Sequence, residues 1–366
     1  MQFSAQRRDI LGALQTVIGV VERRQTMPIL SNVLLKSSNN QLVVTATDLE
    51  LELVTQCPAV INEPGEIAVP ARKLLDICRG LPDDSEIQCK QDENQTRIQS
   101  GRSRFTLSSL SAQDWPHLDE VDDGQVISIP ESALKRLLDR THFAMAHQDV
   151  RYYLNGLLLA IRSDRLRCVA TDGHRLALSD AAIDVAVDEP VQAIVPRKAV
   201  TELVRLLGNS DAELTLQLSN KHLRLRLPGL NFTTKLIDGR FPDYERVIPA
   251  APDRKMHAHR DTIRQALSRT AILSNEKFGG VRLMIEAGTL KLQAQNVERE
   301  EAEDEISVTY DHEAIEIGFN VNYLLEALSA MQSEEFELAL SGPDSSGLIQ
   351  ATDDKSSLYV VMPMRL

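Results

Sequence analysis

Along this chain the spacing of apolar positions switches between strand-like and helix-like in a fixed order, and the order occurs three times. Residues 32–48 (NVLLKSSNNQLVVTATD), 156–172 (GLLLAIRSDRLRCVATD) and 281–296 (VRLMIEAGTLKLQAQN) carry apolar runs on either side of a short polar turn, as paired antiparallel strands do. A helical spacing precedes each of them. Ile10, Leu14, Val17 and Ile18 share one face, as do Leu134, Leu137, Leu138 and Met145, and Ile263 with Leu267. Further on, GEIAVPARKLLDI (65–77), VQAIVPRKAVTEL (191–203) and AIEIGFNVNYLLEA (314–327) each run from an apolar strand into an amphipathic helix through a Pro or Asn at the helix start.

The repetition has a measurable period. Ala46-Thr47-Asp48, Ala170-Thr171-Asp172 and Ala294-Gln295-Asn296 stand 124 residues apart, and RFTLSSLSAQDWPHLDEV, NFTTKLIDGRFPDYERVIP and LYVVMPMRL close the three units. Solenoid repeats are shorter than this, so each unit is expected to hold its own core. The pattern predicts an α+β fold with three similar domains, over residues 1–125, 126–252 and 253–366. Each would set two helices against mainly antiparallel sheets, with the six helices near 4–24, 71–80, 131–141, 197–208, 259–270 and 321–332.

Composition narrows the class. At 366 residues and 43% hydrophobic the chain has material for two or three cores, yet no apolar stretch reaches the ~20 residues of a membrane span. Residues 10–21 after Arg7 and Arg8 imitate a short signal peptide, but Asp9 interrupts the basic flank and no small-x-small site follows, which favours a helix. Cys57, Cys78, Cys89 and Cys168 form no CxxC pair, as expected of isolated thiols in a reducing cytoplasm. There is no GxxxxGK[ST] loop, GxSxG elbow or HExxH helix, so no catalytic residue, cofactor or metal site is expected. Asp172-Gly173-His174 reads as a turn, and His257-x-His259 lacks further ligands.

The net charge of −13 argues against nucleic acid until it is resolved by segment. The six predicted helices carry +8 between them, leaving −21 on the rest. An acidic body with basic helices suits a protein that holds DNA on one surface and repels it elsewhere; solvated helix faces give the same pattern. If the helices line a hole, six of them about 10 Å wide enclose a bore of only ~9 Å, whereas twelve enclose ~28 Å, enough for a duplex. Two chains would then join head to tail, repeat one against repeat three. Repeat three supplies an acidic run, Glu298, Glu300, Glu301, Glu303, Asp304 and Glu305; repeat one supplies Lys73, Arg97, Arg102 and Arg104. Phe105 and Leu107 against Ile272 and Leu273 would add apolar burial. The alternative is an edge strand guarded by charge.

Longer motifs carry a resemblance. TMPILSNVLL, TDLELEL, VPARKLLDICRGLP, SGRSRF, FAMAHQDVRYYLNG, VATDGHRLAL, KLIDGRFPDYERV, AILSNEKFGGVRL and YVVMPMRL, spread from Met1 to Leu366, closely resemble the bacterial DNA polymerase III beta subunit family, the sliding clamps. The resemblance implies a non-catalytic, head-to-tail dimeric ring, with two sheets outside and two helices inside each domain. Such a ring is loaded onto primed DNA by an ATP-driven loader and tethers the replicative polymerase, translesion polymerases and repair proteins. By position it implies DNA contacts at Arg24, His147, Gln148, Asp149, Arg151, Tyr152 and Tyr153, with Arg197 and Lys198 as further candidates. Basic and aromatic groups together suit phosphate pairing and base stacking, although Tyr152 and Tyr153 also fit a strand core.

It further implies a peptide pocket formed by Leu154, Thr171, Gly173, His174, Arg175, Leu176, Pro242, Arg246, Val247, Phe278, Asn320, Tyr323, Ser346, Val360, Met362, Pro363, Met364 and Arg365. Methionine and proline beside leucines and valines make a soft apolar cleft. Asp344 departs from the aliphatic residue expected near it. A DNA-processing enzyme would need a convergent carboxylate or metal set, and a DNA-free scaffold would leave the basic helices without a use.

Overall fold

The computed structural model describes residues 1–366 apart from 22–26, 117, 119–123, 186, 188–189, 276–277 and 366. Arg24 therefore lies outside the described residues. The chain forms two compact units, one of Met1–Glu131 with Arg205–Leu236, the other of Ser132–Val204 with Ile237–Leu366.

Among the described residues there are six α-helices: α1 (Arg7–Val17), α2 (Ala71–Gly80), α3 (Glu131–Asp139), α4 (Arg197–Leu206), α5 (Arg260–Ala271) and α6 (Val321–Ala330). The pairing expected within each repeat is present, but the first helix is shorter than the span 4–24. Residues Gln2–Gln6 form a strand instead, burying Phe3 and Ala5 while their neighbours face out. Equivalent strands, Gln125–Pro130 and Arg254–His259, precede α3 and α5. Their alternation, Ile127 and Ile129 or Met256 and Ala258 inward, is the period-two signal that the helical reading passed over. The helix predicted through Met145 also ends earlier, at Asp139; Thr141 bonds back to the Leu137 carbonyl at 2.6 Å and a 3₁₀ turn follows at His142–Ala144.

Four antiparallel sheets hold the helices. The first unit contains a five-stranded sheet ordered Val60–Glu63, Gln2–Gln6, Glu86–Asp92, Gln95–Ser100, Ser103–Ser108. Its eight-stranded sheet runs Gln125–Pro130, Glu213–Leu218, His222–Leu227, Leu230–Lys235, Leu51–Pro58, Gln41–Thr47, Asn32–Ser38, Glu66–Pro70. The second unit has an eight-stranded sheet ordered Val191–Pro196, Gly156–Ile161, Arg165–Thr171, Arg175–Ala182, Ser357–Val361, Gly347–Ala351, Glu335–Leu340, Arg254–His259. A four-stranded sheet, Glu301–Ser307, Thr289–Gln295, Gly280–Glu286, Ile315–Asn320, completes it.

Each eight-stranded sheet is two four-stranded halves from successive repeats, joined by one strand pair. In the first unit Phe232 stands opposite Leu53, and in the second Tyr359 stands opposite Ala177. All four side chains are buried. Hairpin register identifies equivalent strands. Ala46 faces Leu53, Ala170 faces Ala177 and Ala294 faces Ala302, while Ile98, Leu225 and Ile349 face Phe105, Phe232 and Tyr359. Ser103–Ser108 and Glu301–Ser307 are thus the remaining equivalents of the joining strands, and each ends its own sheet.

Candidate functional site

The turn after strand Arg165–Thr171 builds one side of a cleft. Asp172 Oδ1 accepts the His174 and Arg175 amides at 2.8 and 3.0 Å, and Thr171 Oγ1 accepts the Gly173 amide at 3.1 Å. This makes Asp172-Gly173-His174 the turn its sequence suggested. Gly173 adopts φ +89°, a conformation that favours glycine, and a Cβ there would lie 2.9 Å from the Arg151 guanidinium, which would have to shift aside.

The chain terminus forms the opposing wall. Strand Ser357–Val361 pairs with Arg175–Ala182, and the pairing runs on past its end, with the Met362 amide donating to the His174 carbonyl and the Met364 amide to the Gly318 carbonyl, both at 2.9 Å. These bonds dock a segment that would otherwise fray. Ser346 Oγ donates to the Met362 sulfur at 3.3 Å. Beneath lie Leu158, Val169, Leu176, Leu178, Ile194, Phe241, Tyr244 and Val360 in one buried cluster, with Tyr153 packed against it.

The resulting cleft holds about 170 Å³ and is lined by Arg151, Tyr153, Leu154, Thr171, Gly173, Arg175, Leu176, Pro242, Tyr244, Val247, Val360 and Met362. Half of the expected pocket residues, nine of eighteen, line this cleft. Phe278, Met364 and Arg365 instead line a second hollow of about 620 Å³ with Asn275, Arg282 and Gln293. Asn320 caps α6 by accepting the Asn322 amide at 2.9 Å and ties down the Phe278 carbonyl at 3.1 Å. His174 and Arg246 are exposed, the latter paired with Asp243 at 2.7 Å, and Pro363 is half-buried. Asp344 is exposed in the turn after Glu335–Leu340 and does not line the cleft.

Arg175 locks this region together. Its guanidinium carbon lies 4.4 Å from the Tyr323 ring centre and 5.3 Å from that of Phe143. Its nitrogens reach Asp172 at 3.2 Å, the Phe143 carbonyl at 2.7 Å, and Glu326 of α6. Its side chain is only 10% exposed, so the charge is spent on structure more than on orienting a ligand. Burial also pushes the Tyr323 hydroxyl above its usual pKa.

The loop of candidate DNA contacts borders the same cleft. Arg151 grips Asp149 through two bonds of 3.0 and 2.8 Å and reaches the Asp172 carbonyl at 3.0 Å. The Arg151 hydrogen bonds hold the Asp149 carboxyl down to a pKa of about 2. Asn155 closes the loop, exchanging 2.9 Å bonds with the Asp149 backbone. His147, Gln148 and Tyr152 face solvent, whereas Tyr153 turns inward, its ring 5.7 Å from that of Tyr152. Arg197 donates to the Met145 carbonyl at 2.8 Å and so anchors the start of the loop; Lys198 is half-buried. The cleft also takes Tyr244, a residue of the FPDYERV segment outside the expected set, together with Arg151, expected only as a DNA contact, and Tyr153, expected either at DNA or in a strand core.

Other basic groups on the helices are also engaged. Arg7 of α1 donates to the Cys78 carbonyl at 2.7 Å, Lys135 of α3 to the Val204 carbonyl at 3.3 Å, and Arg260 of α5 to the Met331 carbonyl at 2.5 Å. In each repeat a cation from the first helix thus satisfies the carbonyl end of the second. Arg8, Lys73, Arg79 and Arg136 remain exposed. All four cysteines are buried, and burial pushes the Cys57, Cys78 and Cys89 thiols up to about 12, which suits inert thiols. Among the described residues no cluster could hold a metal, and no helix is long and apolar enough to cross a membrane.

Lys73 is exposed on α2, while Arg102, Arg104, Phe105 and Leu107 lie on or beside the edge strand Ser103–Ser108. Glu301, Glu303 and Glu305 point outward from the other edge strand, with Glu298 and Glu300 in the turn before it. Asp304 is neutralised by Arg269 at 2.6 Å and Glu305 meets Lys291 at 3.6 Å. Ile272, just past α5, is 76% exposed, and Leu273 is half-buried.

Three family models match: the N-terminal, central and C-terminal domains of the DNA polymerase III beta subunit, over residues 1–119, 128–243 and 245–365. The chain is 52% identical to the beta sliding clamp of Pseudomonas putida and 46% identical to that of Escherichia coli, over the whole length of both partners in each comparison. A crystal structure of the Pseudomonas aeruginosa sliding clamp bound to griselimycin superposes with a TM-score of 0.96 at 51% identity, again over both full chains.

Proposed function

The chain belongs to the DNA polymerase III beta subunit family, the non-catalytic processivity subunit, and on that premise we propose that two copies close head to tail around duplex DNA, slide along it, and hold polymerases through the cleft. The observation that carries the reading is a strand joint made twice within the chain and left open once. Register copied from the two closed joints sets Phe105 opposite Ala302 of a second copy, Arg104 opposite Glu303 and Arg102 opposite Glu305. The apolar pair falls on the inner face and the charged pairs on the outer. Among the described residues Arg102, Arg104 and Glu303 make no ion pair, which leaves them available. A joint used in both directions by two identical chains closes a ring in which neither of these two edge strands is left unpaired.

The three repeats are then three domains over the boundaries read from sequence. Exposed helix cations, Arg24 and the loop His147–Tyr152 meet DNA, with Arg197 positioning that loop and Tyr153 serving the cleft. An acidic protein gains little from counterion release, so enclosure replaces affinity. The cleft accepts short Gln-Leu-x-Leu-Phe-like segments of polymerases, repair proteins and the loader; the second cleft of the dimer adds avidity.

Loading on a nicked circle tests the ring. The protein is expected to persist there and to fall off once the circle is linearised; retention after cutting would overturn topological linkage. For the cleft, deleting residues 362–366 is expected to abolish peptide binding and leave the dimer intact, and unaltered affinity would remove the site.

A further inference from the structure

We propose that Met362 is an oxidation-sensitive residue through which peroxides turn off peptide docking, an inference that rests on the cleft being a peptide site. Of the eight methionines in the chain, Met145, Met256 and Met331 are buried in cores. Met362 differs in being half-exposed and in forming part of the lining of an open cleft, beside Leu154, Leu176, Val247 and Val360. Its backbone is pinned by the bond to His174, so the thioether cannot leave the wall by a shift of the tail alone.

The chemistry at this sulfur is simple and balanced. A peroxide transfers one oxygen to a sulfur lone pair; the O–O bond breaks, the thioether is oxidised by two electrons to the sulfoxide, and hydrogen peroxide is reduced to water. The product keeps its charge but gains a strong dipole and a stereocentre. Ser346 Oγ already points its hydrogen-bonding capacity at the sulfur from 3.3 Å. It is placed to donate to the new oxygen, which holds the sulfoxide at the cleft wall. An apolar Leu or Phe side chain entering the cleft must then displace water from a polar group that its own atoms cannot satisfy. Methionine sulfoxide reductases, supplied with two electrons by a dithiol that becomes a disulfide, return the sulfoxide to the thioether and release its oxygen as water, so the site can act as a switch.

The test uses the full-length protein and a fluorescent Gln-Leu-Ala-Leu-Phe peptide, with anisotropy measured before and after hydrogen peroxide and sulfoxides located by mass spectrometry. Oxidation at Met362 is expected to weaken binding by about tenfold or more, and treatment with methionine sulfoxide reductase to restore it. The decisive quantity is the ratio of affinities before and after peroxide within each variant. In Met362→Leu that ratio is expected to fall to about one, whatever its starting affinity, while Met27→Leu, which removes an exposed methionine elsewhere, keeps the full loss. Unchanged binding with sulfoxide present at Met362, or a Met362→Leu protein that is still peroxide-sensitive, overturns the proposal. If the untreated protein fails to bind the peptide, the cleft reading itself falls, and the proposal with it.

Discussion

Strands Leu230–Lys235 and Ser103–Ser108 occupy equivalent places in successive repeats, yet the first is sealed into a sheet and the second is bare on one side. Phe232 is fully buried against Leu53, whereas Phe105 is only half-buried. The outward neighbour of Phe232 is Asn231, opposite Val54; that of Phe105 is Arg104. A joint that never opens can be apolar or neutral. An edge that must stay soluble when unpaired carries charge, and the same charge can select its partner.

The largest break in this comparison should come at the sealed joint. Phe232→Ala is expected to destabilise its unit by ~3–5 kcal/mol, seen as a lower denaturant midpoint, because the cavity lies in a closed core. Phe105→Ala should cost a monomer only ~1 kcal/mol and act instead on dimer dissociation. Equal losses of monomer stability at the two sites would show that the strands are not equivalent in the proposed sense.

Replacing Ile272 and Leu273 together by Ala is expected to raise the dimer dissociation constant by ~100-fold, since both seams lose packing. Sedimentation equilibrium reads this directly, and an unchanged constant would place the seam elsewhere. A smaller effect, about tenfold, is expected for Arg104→Glu, with recovery when Glu303→Arg is added; absence of rescue would refute the copied register.

The smallest effect concerns the loop rather than the joints. Asp149 has its pKa lowered from 3.8 to about 2 by the Arg151 hydrogen bonds. A depressed carboxyl stabilises the fold above its unfolded value, and that contribution is lost as pH falls from about 4 to about 2. The carboxyl carbon resonance of Asp149 should titrate with a midpoint near 2, and Arg151→Ala should move the midpoint upward. A midpoint indifferent to Arg151 would dissociate the pair.

Local periodicity was enough for the strands and helices of each repeat, because burying one face imposes a period of two or 3.6 whatever the partner is. It missed Gln2–Gln6, where a short strand abuts a helix and the two periods overlap. The charged edges were also legible, since Arg104 and Glu303 stand out against the apolar strands around them. The cleft was legible only through resemblance. Nothing in the spacing of Leu154, Thr171, Pro242 and Met362 announces that they meet.

By itself the sequence determined three similar α+β repeats and their order, which are written in its period, and their family, which its longer motifs carry by resemblance. Tertiary structure alone decided that halves of successive repeats join through one strand pair, that Arg7, Lys135 and Arg260 cap carbonyls within the fold, and that Arg175 packs against two rings. Those outcomes depend on which remote backbone groups and side chains need a partner once packing has brought them together. No local pattern encodes that need.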